Sequence, residues 1–182
     1  MHSACSECGQ LVSKERITNI KTLVIGDIDG VVANPGDRLR HISGGKNWDR
    51  FYGAEMANDS YIKQNGDLLQ KLSFECDAQL LFLTGRPERT HELTRLWLNE
   101  HLGGVVDYWI ACRHDDDHRK SPIVKAEMLR EFLTHYGGIL DPNMIVFLFD
   151  DDPDNLRAME EVLNEFKFGY EYETYTVGTG RI

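Results

Sequence analysis

Asp27-Ile28-Asp29-Gly30 places two carboxylates one residue apart at the end of an apolar run, Thr22 to Gly26. Successive strand side chains point to opposite faces, but a turn beginning at Asp29 can bring both carboxylates onto one ligand, and Gly30 supplies the turn. Two ionised carboxylates so close are costly unless a cation neutralises them or one keeps its proton. Either outcome serves catalysis. An Asp-Gly turn is ordinarily just a solvated loop, so the motif draws its weight from its company. Leu80 to Leu83 runs into Thr84-Gly85-Arg86, and Ile145 to Phe149 runs into Asp150-Asp151-Asp152.

These three apolar runs read as buried parallel strands. Helical patterns lie between them: Pro87 to Leu102 with Leu93, Leu96 and Trp97 in phase, and Ile123 to Tyr136 with Val124, Met128, Phe132 and Leu133. The alternation predicts an α/β fold, a three-layer, doubly wound and mostly parallel sheet with right-handed crossovers. Ligands of such sheets bind outside the carboxyl ends of the strands, where Asp27, Thr84 and Asp150 fall. Asp152 before Pro153 reads as the N-cap of a final helix with Leu156, Met159, Val162, Leu163 and Phe166 as its apolar stripe. Asp154 fits either a supporting role behind the site or a helix-start charge. Residues 34–65 are expected to form a small lid carrying Trp48, Phe51, Tyr52 and Tyr61, ahead of a helix starting near Gly66. The domain is read as 19–182, preceded by a tail, 1–18.

Taken in order, the clusters resemble the four motifs of the haloacid dehalogenase (HAD) superfamily of phosphotransferases. Asp27 to Val32 is similar to its first motif, Thr84-Gly85-Arg86 to its second, Lys125 to its third and Asp150-Asp151 to its fourth. A closer resemblance is to the phosphatase half of bacteriophage polynucleotide kinase/phosphatase and its stand-alone relatives. It is carried by Thr84 to Glu88, Thr94 to Leu98, Arg113, and Asp117 to Lys125. No Gly-x-x-x-x-Gly-Lys-Ser/Thr pattern occurs, so no kinase half is expected within the chain. The resemblance implies phosphoryl transfer and not dehalogenation, because the second acid, Asp29, is present.

The chemistry expected of these residues starts from charge. A phosphate monoester dianion repels a carboxylate nucleophile, so attack needs neutralisation first. Mg2+ held by Asp27, Asp151 and Asp150 would supply it. Asp29 is counted in the same metal site, with its side chain reserved for proton transfer. Asp27 is the expected nucleophile and Asp29 the acid and then the base. Lys125 and the Thr84 hydroxyl would hold the phosphoryl oxygens, with Gly85, Arg86, Arg113 and Arg119 binding substrate phosphate. Arg89 and Arg95 are expected in surface ion pairs, and His114 and His118 in a solvated turn.

A chain of 182 residues, 41% apolar, can bury one domain core. It holds no run approaching a membrane span and no signal-peptide core in its first 20 residues, so a cytoplasmic location without membrane partners is expected. The formal charge of −10 argues against broad, sequence-blind nucleic-acid binding. Cys5-Ser6-Glu7-Cys8 is half of a zinc-site pattern with no second pair to complete it. It reads as a site shared between copies in a homo-oligomer, or as a reduced tail. The expected activity is a Mg2+-dependent phosphomonoesterase acting on nucleotides or on 3′-phosphate ends of nucleic acid. A small-molecule 5′-nucleotidase or general phosphatase is the alternative, and a non-catalytic nucleic-acid or partner-binding module a third.

Overall fold

The computed structural model describes residues 19–103, 107–166 and 171–176; the tail 1–18, with Cys5 and Cys8, lies outside them. In chain order come β1 (Ile20–Gly26), β2 (Ala33–Asn34), a 3-10 turn (Gly36–Leu39), α1 (Arg40–Ser43), α2 (Trp48–Phe51), a second 3-10 turn (Ala54–Asn58) and β3 (Ser60–Tyr61). They are followed by α3 (Lys63–Glu75), β4 (Gln79–Pro87), α4 (His91–Leu102), β5 (Tyr108–Arg113), α5 (Ser121–Tyr136), β6 (Leu140–Asp150), α6 (Pro153–Glu165) and β7 (Glu171–Thr176). Among the described residues, no helix is long and apolar enough to cross a membrane.

The main sheet has the order β5-β4-β1-β6-β7, with every neighbouring pair parallel. The chain steps outward from β1 to β4 and β5, then returns to the other side of β1 with β6. The winding therefore reverses beside β1, and folds of this kind bind their ligands at such a point, here the carboxyl ends of β1 and β6. Strand periodicity divides the apolar runs between two cores. Leu23, Ile25, Leu81, Leu83, Val146 and Leu148 meet Leu129 and Leu133 of α5 and Leu156, Met159 and Leu163 of α6. Val24, Leu80, Phe82 and Phe149 point the other way, onto Leu69 of α3 and Trp97, Leu98 and Leu102 of α4. Each such side chain contributes roughly 1.5–3 kcal/mol on burial, which is why runs covered on both faces are almost wholly apolar.

Several local expectations need correction. The buried face of α4 is Thr94, Trp97, Leu98 and Leu102, while Leu96 is 53% exposed. The helix expected from Ile123 starts at Ser121. The helix expected near Gly66 starts at Lys63. Gly66 lies in its first turn because Tyr61 packs there, and a Cβ would fall on the Tyr61 hydroxyl.

The excursion after β1 leaves and returns through one ribbon. Ala33 pairs with Tyr61 and Asn34 with Ser60 in the antiparallel pair β2 and β3, and the short helices of the lid lie between them.

Candidate active site

Asp27 stands on the last step of the β1–β6 ladder, where its N–H donates to the Phe149 carbonyl at 2.9 Å. The chain then folds back on itself: the N–H groups of Val32 and Ala33 donate to the Ile28 carbonyl at 3.0 and 2.8 Å. Ile28, Val31 and Val32 are fully buried and pin this loop to the core. Gly30 is required twice. Its φ is +88°, and a Cβ there would lie 2.5 Å from Cγ of Asp151. The loop after β1 is thus pressed against the carboxylate after β6.

Around Asp27, Lys125 reaches from the second turn of α5 to Asp27 Oδ2 at 2.7 Å and Asp150 Oδ2 at 2.6 Å. Asp150 is fully buried, and its Oδ1 accepts from the Asp152 N–H and from Asn155 Nδ2, both at 2.9 Å. One oxygen each from Asp27, Asp150 and Asp151 lies within 4.8 Å of the others. Burial pushes the Asp27 carboxyl up to about 7; Lys125 opposes this, and the Asp150 charge adds to it. Asp151 is raised as well, first by burial and then by Asp150. Burial works against the Lys125 ammonium, but Asp27 and Asp150 outweigh it and hold the group protonated. With all three carboxylates ionised, one ammonium leaves two negative charges, which one divalent cation would balance. An all-oxygen donor set suits a hard cation, so these residues fit one.

Asp29 belongs to a different constellation. Arg86 Nη2 donates to its Oδ1 at 2.7 Å and Arg86 Nε to its Oδ2 at 3.1 Å, and Arg38 Nη2 adds a bond to Oδ1 at 2.8 Å. Both arginines also bind Asp59: Arg38 Nε and Nη2 at 2.6 and 2.5 Å, Arg86 Nη2 at 3.0 Å. Arg38 Nη1 donates to the Phe51 carbonyl at 2.7 Å, and Trp97 Nε1 to that of Asp59 at 3.1 Å. Burial would raise the Asp29 carboxyl, but Arg86 and then Arg38 outweigh it and hold the group below its ordinary value.

The remaining expected site residues are distributed unevenly. Thr84 is fully buried, and its Oγ1 accepts the Arg86 N–H at 3.2 Å. In β4 the register against β5 jumps from Thr84–Cys112 to Pro87–Arg113, and this irregularity contains Gly85 and Arg86. Arg86, expected on substrate phosphate, has no exposed surface and is consumed by Asp29 and Asp59. Arg119 is half exposed and bound by Asp117, at 2.6 Å, and by Glu127. Arg113 forms no ion pair among the described residues. Its Nη1 donates to the carbonyls of Asp117 and Arg119, and its Nη2 lies 3.9 Å from where a Cβ on Gly85 would be. Arg89 and Arg95 sit in exposed ion pairs, with Asp49 and Asp115 and with Glu92 respectively. Asp152 caps α6 by accepting the Asp154 N–H, while Asp154 faces solvent with Arg157.

Sequence reasoning missed Asp59, the depth of Arg38, and Asn155 as the support of Asp150. Asp59 carries no local signal, because its partners lie 21 and 27 residues away. Asn155 could have been found as the residue one helical turn inside the Asp152 cap, facing back towards the end of β6.

No protein-family model matches the chain, and comparison with curated proteins finds no relative. In structure it is similar to the HAD domain of effector protein Lem4 from Legionella pneumophila, with a TM-score of 0.59 over 90% of each chain and 14% sequence identity. The fold is that of a HAD domain. A chain of the Pnkp1/Rnl/Hen1 RNA repair complex is also similar, with a TM-score of 0.56 and 20% identity over 89% of the present chain. The present chain spans about half of it, 47%. At these identities the likeness establishes the fold alone.

Proposed function

We propose that this HAD-fold chain is a Mg2+-dependent phosphomonoesterase that works through an aspartyl-phosphate on Asp27, with nucleotides or 3′-phosphorylated nucleic-acid ends as substrates. The observation that carries the reading is the charge-deficient cluster of Asp27, Asp150, Asp151 and Lys125 at the switch point of the sheet. Mg2+ would be held by Asp27 and Asp151 with Asp150 behind them, and when bound it supplies the positive charge that lets an anionic nucleophile meet an anionic phosphate. Asp27 Oδ attacks phosphorus, the bond to the leaving oxygen breaks, and that oxygen takes a proton. Water then attacks the same phosphorus, the aspartyl bond breaks, and Asp27 is freed as phosphate leaves. Lys125 keeps Asp27 oriented and offsets its charge.

Asp29, whose charge acts on Asp27, is the group assigned to both proton transfers. Its lowered pKa keeps it ionised, the form that takes a proton from water, while the same arginines, Arg86 and Arg38, weaken it as a base and disfavour the protonated form that donates to a leaving alkoxide. The polynucleotide preference draws support from the likeness to the RNA repair complex chain. The small-molecule alternative has an observation of its own: Arg86 and Arg119 are compensated by this chain's own acids, which leaves little positive charge to track a strand.

The test is phosphate release from 3′- and 5′-phosphorylated mononucleotides and oligonucleotides with and without Mg2+. Turnover is expected only with the metal, and Asp27→Asn is expected to lower it by roughly a thousandfold or more while leaving the fold intact. Full activity of that variant would remove Asp27 from the chemistry. A clear preference for 5′-mononucleotides would select the small-molecule reading.

A further inference from the structure

The lid carries aromatic surface that the phosphatase chemistry does not use. Trp48 and Tyr52 are stacked with ring centroids 5.9 Å apart and planes 17° from parallel, and Phe51 meets both edge-on at 5.8 and 4.8 Å. Phe51 is buried, with the Arg38 guanidinium 4.5 Å beneath its ring, so the group stands on the charge cluster that holds Asp29. Trp48 is the outermost ring and is 43% exposed.

The stack runs towards the reaction edge. The Tyr52 hydroxyl lies 3.5 Å from where a Cβ on Gly85 would be, with Arg113 Nη2 at 3.9 Å from the same point. The Asp29 and Asp27 charges both act on the Tyr52 hydroxyl. Asp49, next to Trp48, binds Arg89 at 2.9 Å and ties this part of the lid to the segment just after β4. Arg113 offers Nη2 here and has a buried Nε with no hydrogen-bond partner among the described residues.

We propose that Trp48 and Tyr52, with Arg113, form the leaving-group subsite: a nucleobase lies against Trp48 while the Tyr52 hydroxyl and Arg113 take the sugar-phosphate between it and Asp27. The inference rests on the phosphatase reading and deepens it by naming what the leaving group must contain. Ring faces stack regardless of base identity, so the subsite reads a base without reading its sequence. On a chain of net charge −10, affinity gained by stacking also avoids reliance on long-range attraction. Trp48 and Tyr52 act here as substrate-binding residues and take no part in bond breaking at phosphorus.

The experiment compares a 3′-phosphorylated dinucleotide with glycerol phosphate, which has no base. Trp48→Ala is expected to lower the ratio of their kcat/KM values about tenfold or more, chiefly through the KM of the dinucleotide, with Trp48→Phe restoring much of it. An equal loss on both substrates, or no loss, overturns the subsite, as does better hydrolysis of a phosphotyrosine peptide than of the dinucleotide. Binding is read separately in Asp27→Asn, where the dinucleotide is expected to quench tryptophan fluorescence and the added Trp48→Phe change to remove most of that quenching. If neither substrate is hydrolysed, quenching still reports the subsite while the phosphatase reading fails. Absence of quenching alongside normal hydrolysis overturns the subsite alone.

Discussion

Two groups of buried charge grow from adjacent anchors, one from Asp27 and one from Asp29, and they are built differently. Around Asp29, two guanidiniums face two carboxylates, and Arg38 spends its donors on Asp29, Asp59 and the Phe51 carbonyl. Around Asp27, one ammonium faces three carboxylates, and burial lifts the Asp27 carboxyl to about 7. The first group is complete within the protein. The second, with its carboxylates ionised, is two positive charges short. The difference separates what holds the site in shape from what the site must receive: a neutral, fully bonded group fixes geometry, and an unbalanced one binds a cation.

Breaking the complete group is expected to have the largest effect on stability. Asp59→Ala leaves two buried arginines sharing one acid, and removing one partner of a buried pair costs about 3–5 kcal/mol. Urea unfolding would check this, and a loss below about 1 kcal/mol would mean that Asp59 holds nothing in place. A smaller effect is expected where the two groups meet. Gly30→Ala forces a left-handed backbone position on alanine, at about 1–2 kcal/mol, and pushes Asp151 aside. Mg2+ affinity, followed by calorimetry, should fall by about 10–100-fold. An unchanged affinity would take Asp151 out of the metal site.

The smallest expected effect sharpens the unbalanced group through pH. Without metal, the folded-state pKa of Asp27, about 7, stands above its ordinary 3.8. Its contribution to stability is therefore complete below the ordinary value and is lost as pH rises through about 7. A bound cation favours the ionised form and reverses that loss. The rise in Tm on adding Mg2+ should thus be larger at about pH 8 than at about pH 5. Equal shifts at both would show that Asp27 is not linked to the metal.

The interior of the fold was legible because both faces of β1, β4 and β6 are covered, so each reads as an apolar run. β5 was not, since every residue from Tyr108 to Arg113 is half-buried and the segment mixes aromatic, small and charged side chains. The reactive residues were legible for a similar reason: Asp27 follows β1, Asp150 ends β6, and Thr84 closes the apolar run of β4. The partners of Asp29 were not. Arg38 and Asp59 meet because the lid bends back over β4, and no periodicity links residues brought together by a loop. Arg86 had the right chemistry for phosphate but was claimed by an acid that no spacing revealed.

The ribbon of β2 and β3 makes the lid look like an interchangeable cassette, because its two ends are already side by side and the sheet does not depend on what lies between them. Its electrostatic contents say otherwise. Arg38 and Asp59 both lie inside it, and together they carry two of the four charges in the group that includes Asp29. A graft from another scaffold would fit sterically and still leave Arg86 and Asp29 with an altered balance. Lid and core can therefore diverge only in concert at positions 38 and 59.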